Sequence, residues 1–191
     1  MSGSLSEKAR LRAEALARRD AMDGAARIEA GFAVAETVAA DLAFEPGTVV
    51  SGFLPIRSEI DLRPLMAILA DRGARLCVPA IVGEDLEFRE LRRGAALEPQ
   101  GFGTYAPGAD APVLDPAIML VPFAAFDRRG HRIGYGRGYY DRAIARLASA
   151  GRPPRTLGLG FAVQEVPRVP DEPHDAALDL IATECGIHRG S

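Results

Sequence analysis

Residues 121–142 read VPFAAFDRRGHRIGYGRGYYDR, in which Gly130, Gly134, Gly136 and Gly138 are interleaved with Arg128, Arg129, Arg132 and Arg137. Glycine lets successive backbone N–H groups converge on one point with no Cβ in the way. Each arginine adds charge-assisted hydrogen bonds of about 1.5–3 kcal/mol where it is partly desolvated. Before the loop, Ala117, Ile118, Met119, Leu120 and Val121 form an apolar run with the character of a buried parallel strand, and Pro122 stops it. After it, Tyr140, Ile144, Leu147 and Ala148 share one helical face. Strand, basic glycine loop and helix start, in that order, build an anion site, because the helix start adds orphan N–H donors and partial positive charge. A phosphate is the natural guest. The plainer alternative is that the glycines only turn the chain and the arginines are a solvated rim. No Gly-Lys-Ser/Thr follows, which excludes a Walker A loop, and the long gap between strand and Gly134 makes a poor dinucleotide fingerprint.

Other residues suit phosphate chemistry or have structural readings of equal standing. Lys8 is the single lysine among 23 basic side chains, and a compact ammonium can do what a guanidinium cannot. On a helix, Lys8, Arg12 and Arg19 fall on one face. Glu59 and Asp61 lie in the segment Pro55-Ile56-Arg57-Ser58-Glu59-Ile60-Asp61, where a carboxylate could accept N–H bonds from a ligand ring or cap the following helix. Asp141 falls in the first turn of the helix fed by the loop, where it would complement the dipole, and Asp179 opens the last strand. Tyr139 and Tyr140 either wall a site or fill the core. His131, His174 and His188 have no metal-ligand spacing and read as surface loop residues, and Cys77 and Cys185 read as buried free thiols. No nucleophile–base pair such as Ser-His-Asp or Cys-His is suggested.

These groups need a frame, and the chain is long enough to supply one. Its 191 residues, 48% hydrophobic and 26% charged, predict a single domain, 1–191, with helices in 4–44 packing on an α/β core in 47–185. A net charge of −3 argues against a nucleic-acid binder, and no stretch is apolar enough to span a membrane. With no apolar leader at the N-terminus, a cytoplasmic monomer acting on small molecules is the expectation. A first helix, capped by Ser4 or Ser6, runs to about Asp20. A second ends near Phe44, with Ile28, Phe32, Ala35, Val38 and Leu42 near one face. Strands are predicted at 48–54, 75–79, 117–121, 156–161 and 178–183, an edge strand or hairpin at 84–91, and a long surface loop at 94–116. Strands alternating with helices imply an α/β layered protein with a mostly parallel sheet.

The pattern Pro122, Phe126-Asp127, Gly130, Arg132, Gly134-x-Gly136-x-Gly138-Tyr139-Tyr140-Asp141-Arg142 closely resembles the signature of the 5-formyltetrahydrofolate cyclo-ligases (methenyltetrahydrofolate synthetases). Lys8-Ala9-Arg10-Leu11-Arg12 matches that family's opening Lys-x-x-Leu-Arg, and the acidic loop, apolar strand and Thr-Glu at the end have the family form. The resemblance implies a three-layer fold of the ribose-5-phosphate isomerase and glucosamine-6-phosphate deaminase class. It implies ATP- and Mg²⁺-dependent closure of 5-formyltetrahydrofolate to 5,10-methenyltetrahydrofolate through a phosphorylated formyl group. Lys8, Arg12, Arg132, Gly134, Tyr135, Gly136, Arg137, Gly138, Tyr139 and Tyr140 would then hold ATP. Ile56, Glu59 and Asp61, with Tyr135, Arg137, Gly138 and Tyr139, would hold the folate. Lys8, Arg137 and Tyr139 would assist the chemistry, and Asp141 with Asp179 would bind the metal. Two positions depart from the pattern. Tyr135 stands where some relatives carry arginine, and Ala106 where the family's Gly-Ile-x-Glu-Pro element has an acid. Those departures leave a non-catalytic nucleotide- or folate-binding relative as the alternative, with a phosphosugar isomerase or deaminase as a third reading.

Overall fold

The computed structural model describes residues 2–172 and 175–189, with side chains from residue 7 on. In chain order the elements are α1 (Ser2–Asp20), α2 (Gly24–Asp41), β1 (Val49–Ser51), α3 (Arg63–Asp71), β2 (Arg75–Val82), β3 (Asp85–Glu90), β4 (Leu97–Pro99), β5 (Tyr105–Pro107), β6 (Ile118–Pro122), β7 (Ala125–Phe126), β8 (Arg132–Ile133), α4 (Tyr139–Ser149), β9 (Arg155–Leu159), a 3₁₀ turn (Ala162–Gln164), β10 (Leu180–Thr183) and β11 (Gly186–Arg189). Local chemistry sets several boundaries. Asp23 caps α2 by accepting from the amides of Ala25 and Ala26, and Pro64 sits in the first turn of α3, where its missing N–H costs nothing.

A seven-stranded sheet in the order β11-β10-β9-β6-β1-β2-β3 organises the molecule. The inner pairs β10–β9, β9–β6, β6–β1 and β1–β2 are parallel, while β11 and β3 close the edges antiparallel. Strand β6 lies in the middle and is apolar on both faces because both are covered. Ile118 and Leu120 pack toward α2 and α3, among Val34, Val38, Leu65 and Leu69, whereas Met119 and Val121 pack toward α4, against Ala143 and Leu147. The result is helices on both sides of a mostly parallel sheet. Helix α1 stands apart from both layers and buries Leu11 and Ala15 against Ala125, Ile133, Val166 and Val169. It therefore lies beside the glycine loop. No described helix is long and apolar enough to cross a membrane.

Several expectations are corrected here. The segment 94–116 is structured: β4 and β5 pair as a hairpin, and Leu114 donates its amide to Phe88 while Glu90 donates to Pro112 along the β3 edge. Proline and glycine in that stretch mark turns between short strands. The exposed side of α2 carries Ile28 and Phe32, because its buried face is the one bearing Ala30, Val34, Ala35 and Val38. Cys77 is buried, its thiol pushed up to about 12 by burial, but Cys185 is exposed in the turn between β10 and β11. His188 belongs to strand β11, which the sequence reading missed. Helix α1 begins at Ser2, so Ser4 and Ser6, expected to cap it, fall within the helix instead; their side chains lie outside the described residues, as does His174.

Candidate active site

The site forms where the parallel strands end and three sequence-distant segments meet. Pro122 stops β6, and the chain then makes the short β7–β8 hairpin before reaching the glycines. Asp127, fully buried, fixes this hairpin. It accepts from the amides of Arg129, His131 and Val169 and from the Arg129 guanidinium. Gly138 then serves as the N-cap of α4 at φ 64°, a conformation other residues adopt at a cost of about 1–2 kcal/mol. Gly136, at φ 90°, would place a Cβ 3.6 Å from the Arg12 guanidinium. No side chain caps α4, so its first-turn N–H groups remain available for an anion.

The shared face of Lys8, Arg12 and Arg19 on α1 turns out to lie along this loop. Arg12 Nε donates to the Gly134 carbonyl at 2.7 Å, and Arg19 Nη1 to the Tyr135 hydroxyl at 2.9 Å. Lys8 Nζ pairs with Asp175 Oδ2 at 2.6 Å. Between helix, loop and sheet lies a cavity of about 1020 Å³, at the upper end of the range for small-molecule and cofactor sites. Its walls differ in chemistry. Lys8, Arg12, Arg132, Arg137 and Arg142 line one side with Gly134, Gly136 and Gly138. Phe53, Leu54, Ile56, Ile81 and Leu86 make another side apolar. Tyr135, Tyr139 and Tyr140 also line the cavity, and Tyr139 and Tyr140 pack on the core as well. Phe102, at the tip of the β4–β5 hairpin, reaches over the mouth, its ring 4.6 Å from the Arg137 guanidinium carbon.

Four carboxylates also face the cavity: Glu59, Asp141, Glu172 and Asp175. Burial raises the Glu59 carboxyl above the ordinary range, against the lowering effect of bonds from Tyr135 and the Ile56 amide. Asp141 Oδ1 accepts from Arg132 Nη2 at 2.9 Å and from the Ala176 amide at 3.2 Å. Among the described residues no donor bonds its second oxygen, Oδ2. A hard cation takes oxygen ligands, keeps several waters and needs only one or two carboxylates beside a polyphosphate, so Asp141 fits that task.

The structure brings most of the sequence-predicted residues together, with two exceptions. Asp61 does not line the cavity: it grips Arg63 through both oxygens and accepts the Arg63 amide, and those bonds hold its carboxyl below the usual range. Asp179 is absent from the cavity as well. It accepts from the amide and hydroxyl of Thr156 at the start of β9, the far end of the parallel strands. The acid that arrives beside Asp141 is instead Asp175, whose neighbour Ala176 makes the bond to Asp141. Sequence reasoning also passed over Phe102, Arg142, Phe53 and Leu54. Only Phe102 carried a usable signal, an aromatic residue between two glycines.

A layered α/β protein with a basic glycine loop, an uncapped helix start and adjoining apolar side chains has a cavity suited to a small molecule carrying negative charge. The pattern of the 5-formyltetrahydrofolate cyclo-ligase family matches residues 4–184. The mouse protein named 5-formyltetrahydrofolate cyclo-ligase is 24% identical over 94% of each chain, and that of Mycolicibacterium smegmatis is 29% identical over 72% of this chain and 74% of its own. Among solved structures, the 5,10-methenyltetrahydrofolate synthetase of Aquifex aeolicus superimposes with a TM-score of 0.80 at 26% identity, covering 95% of this chain and 92% of the other. This chain belongs to the 5-formyltetrahydrofolate cyclo-ligase family, and it is an enzyme.

Proposed function

We propose that this protein uses ATP to close 5-formyltetrahydrofolate into 5,10-methenyltetrahydrofolate, releasing ADP and phosphate. The observation that carries the proposal is the two-sided cavity: a basic glycine loop and α1 face on one side, an apolar wall with Glu59 on the other. The polyphosphate lies along Gly134, Gly136 and Gly138 toward the start of α4, with Lys8, Arg12, Arg132 and Arg137 neutralising it. The pterin lies against Phe53, Leu54 and Ile56, and Glu59 accepts hydrogen bonds from its ring N–H groups. Between the two, Tyr135, Tyr139 and Tyr140 exclude water and align the reacting atoms.

The formyl oxygen attacks the γ-phosphorus and ADP departs, leaving a phosphorylated iminium. N10 then adds to the former formyl carbon and loses its proton, and the C–O bond breaks as phosphate leaves. The difficulty overcome is that oxide is a poor leaving group and phosphate a good one. Positioning and charge stabilisation are the protein's contribution. Asp141 with Asp175 would hold Mg²⁺, which when bound supplies charge neutralisation on the phosphate oxygens. Asp179 is left with a structural task at Thr156. We also infer that the layered fold belongs to the ribose-5-phosphate isomerase and glucosamine-6-phosphate deaminase class, a grouping supported by the parallel run β10-β9-β6-β1-β2 between helices.

The test follows the near-ultraviolet band of the methenyl product with and without ATP and Mg²⁺, in the native protein and in Asp141→Asn. Product that needs both additions, falling at least tenfold in the variant, is the expected result. ATP binding without product would overturn the reaction, and undiminished activity in Asp141→Asn would overturn the metal assignment.

A further inference from the structure

Arg19 is 1% exposed, in a helix otherwise polar toward solvent, and its guanidinium reaches from α1 to the segment 55–61 and to the glycine loop. Its Nη1 donates to the Tyr135 hydroxyl at 2.9 Å, and its Nε donates to Ser58 Oγ at 3.0 Å. The Tyr135 hydroxyl in turn donates to Glu59 Oε1 at 2.6 Å, while the Ile56 amide donates to Glu59 Oε2 at 3.0 Å. The chain of contacts thus runs from α1 through the glycine loop to the carboxylate on the apolar wall. Both Glu59 oxygens are fixed, so the plane of the carboxylate is fixed. The positive charge comes from α1, one hydroxyl removed from the acid it serves.

Building on the folate reading above, we propose that Arg19 and Tyr135 are positioning residues that keep Glu59 ionised and aimed at the pterin. A buried carboxylate with no donors neutralises itself and then offers the wrong hydrogen-bonding pattern to ring N–H groups. Burial does raise Glu59, and the Tyr135 bond, the Ile56 amide and the Arg19 charge oppose that rise. The other groups facing this point are Asp20 on α1, which accepts the Ser58 hydroxyl, and Tyr140 on α4, whose phenol burial and the Glu59 charge push upward. Asp20 is exposed and lies 3.9 Å from Arg19 Nε, so Arg19 remains the dominant charge on the network.

The decisive measurement is the titration of the Glu59 carboxyl by carbon-13 NMR of glutamate-labelled protein, its signal identified with Glu59→Gln. Native protein, Tyr135→Phe, Arg19→Leu and Arg19→Lys are compared. The proposal expects Glu59 to protonate at higher pH in Tyr135→Phe and in Arg19→Leu, with Arg19→Lys near native. It further expects the double variant Tyr135→Phe/Arg19→Leu to shift less than the sum of the singles, since both act through one hydroxyl. In kinetics, KM for 5-formyltetrahydrofolate rises roughly tenfold in Tyr135→Phe, more than KM for ATP does. An unmoved Glu59 titration in both single variants overturns the network, whatever the enzyme turns over. Native protein that shows the titration shift but no folate turnover overturns the functional reading and leaves the network standing.

Discussion

Glu59 shows how a single side chain acquires a role from its surroundings. Its carboxyl is raised by burial, so the ionised form that accepts from ring N–H groups is lost as pH falls through a value above the usual 4.5. The sign follows directly. Folate KM should rise as pH drops through that raised value. Glu59→Gln should abolish this pH dependence and raise the folate KM at pH above that value; a pH-independent folate KM in the native protein would contradict the assignment. At this scale the sequence was informative about residue types and less so about distances. Lys8, Arg12 and the loop glycines were legible because their chemistry and spacing are local. Asp61 and Asp179 were not, because each is a carboxylate at the right place in a pattern whose partner, Arg63 or Thr156, was already within reach. Only the three-dimensional arrangement brings Asp175 beside Asp141.

The elements that matter most are α1 and the turn into α4. A helix carrying Lys8, Arg12 and Arg19 on one face reads from sequence as an ordinary solvated stripe, yet packing of Leu11 and Ala15 against Ile133 and Val166 turns that stripe onto the loop. The periodicity was visible, and the docking was not, since it depends on contacts with residues more than a hundred positions away. At the other side of the loop, Gly138 caps α4 in the left-handed region, where a Cβ would also come within 3.0 Å of Arg142 Nη1. Gly138→Ala should cost about 1–2 kcal/mol locally, equivalent to about a 5- to 30-fold loss of ATP affinity by calorimetry. Folate affinity should change much less. Equal loss for both ligands would mean that the loop does not partition them as described. The β4–β5 hairpin illustrates what composition hides: glycine and proline suggested a long surface loop, but they mark the turns of a hairpin that carries Phe102 to the cavity.

For the whole molecule, the sheet order and its two helical layers follow from strands apolar on both faces, and that much was readable as alternation of strand and helix. The crossing order of the strands was not, because apolar runs of similar length do not specify their neighbours. The three-dimensional consequence is functional: β6 sits centrally, so the loop leaving it lies over the middle of the sheet, between α1 and the apolar wall at 53–56. The proposed reaction has two substrates meeting in this cavity, and it requires oxygen to pass from one to the other. The direct measurement is a single-turnover reaction with 5-formyltetrahydrofolate labelled with oxygen-18 in the formyl group, with the released phosphate analysed by mass spectrometry. Attack of the formyl oxygen on the γ-phosphorus predicts one labelled oxygen in every phosphate formed. Unlabelled phosphate, or methenyl product appearing without phosphate, would contradict it.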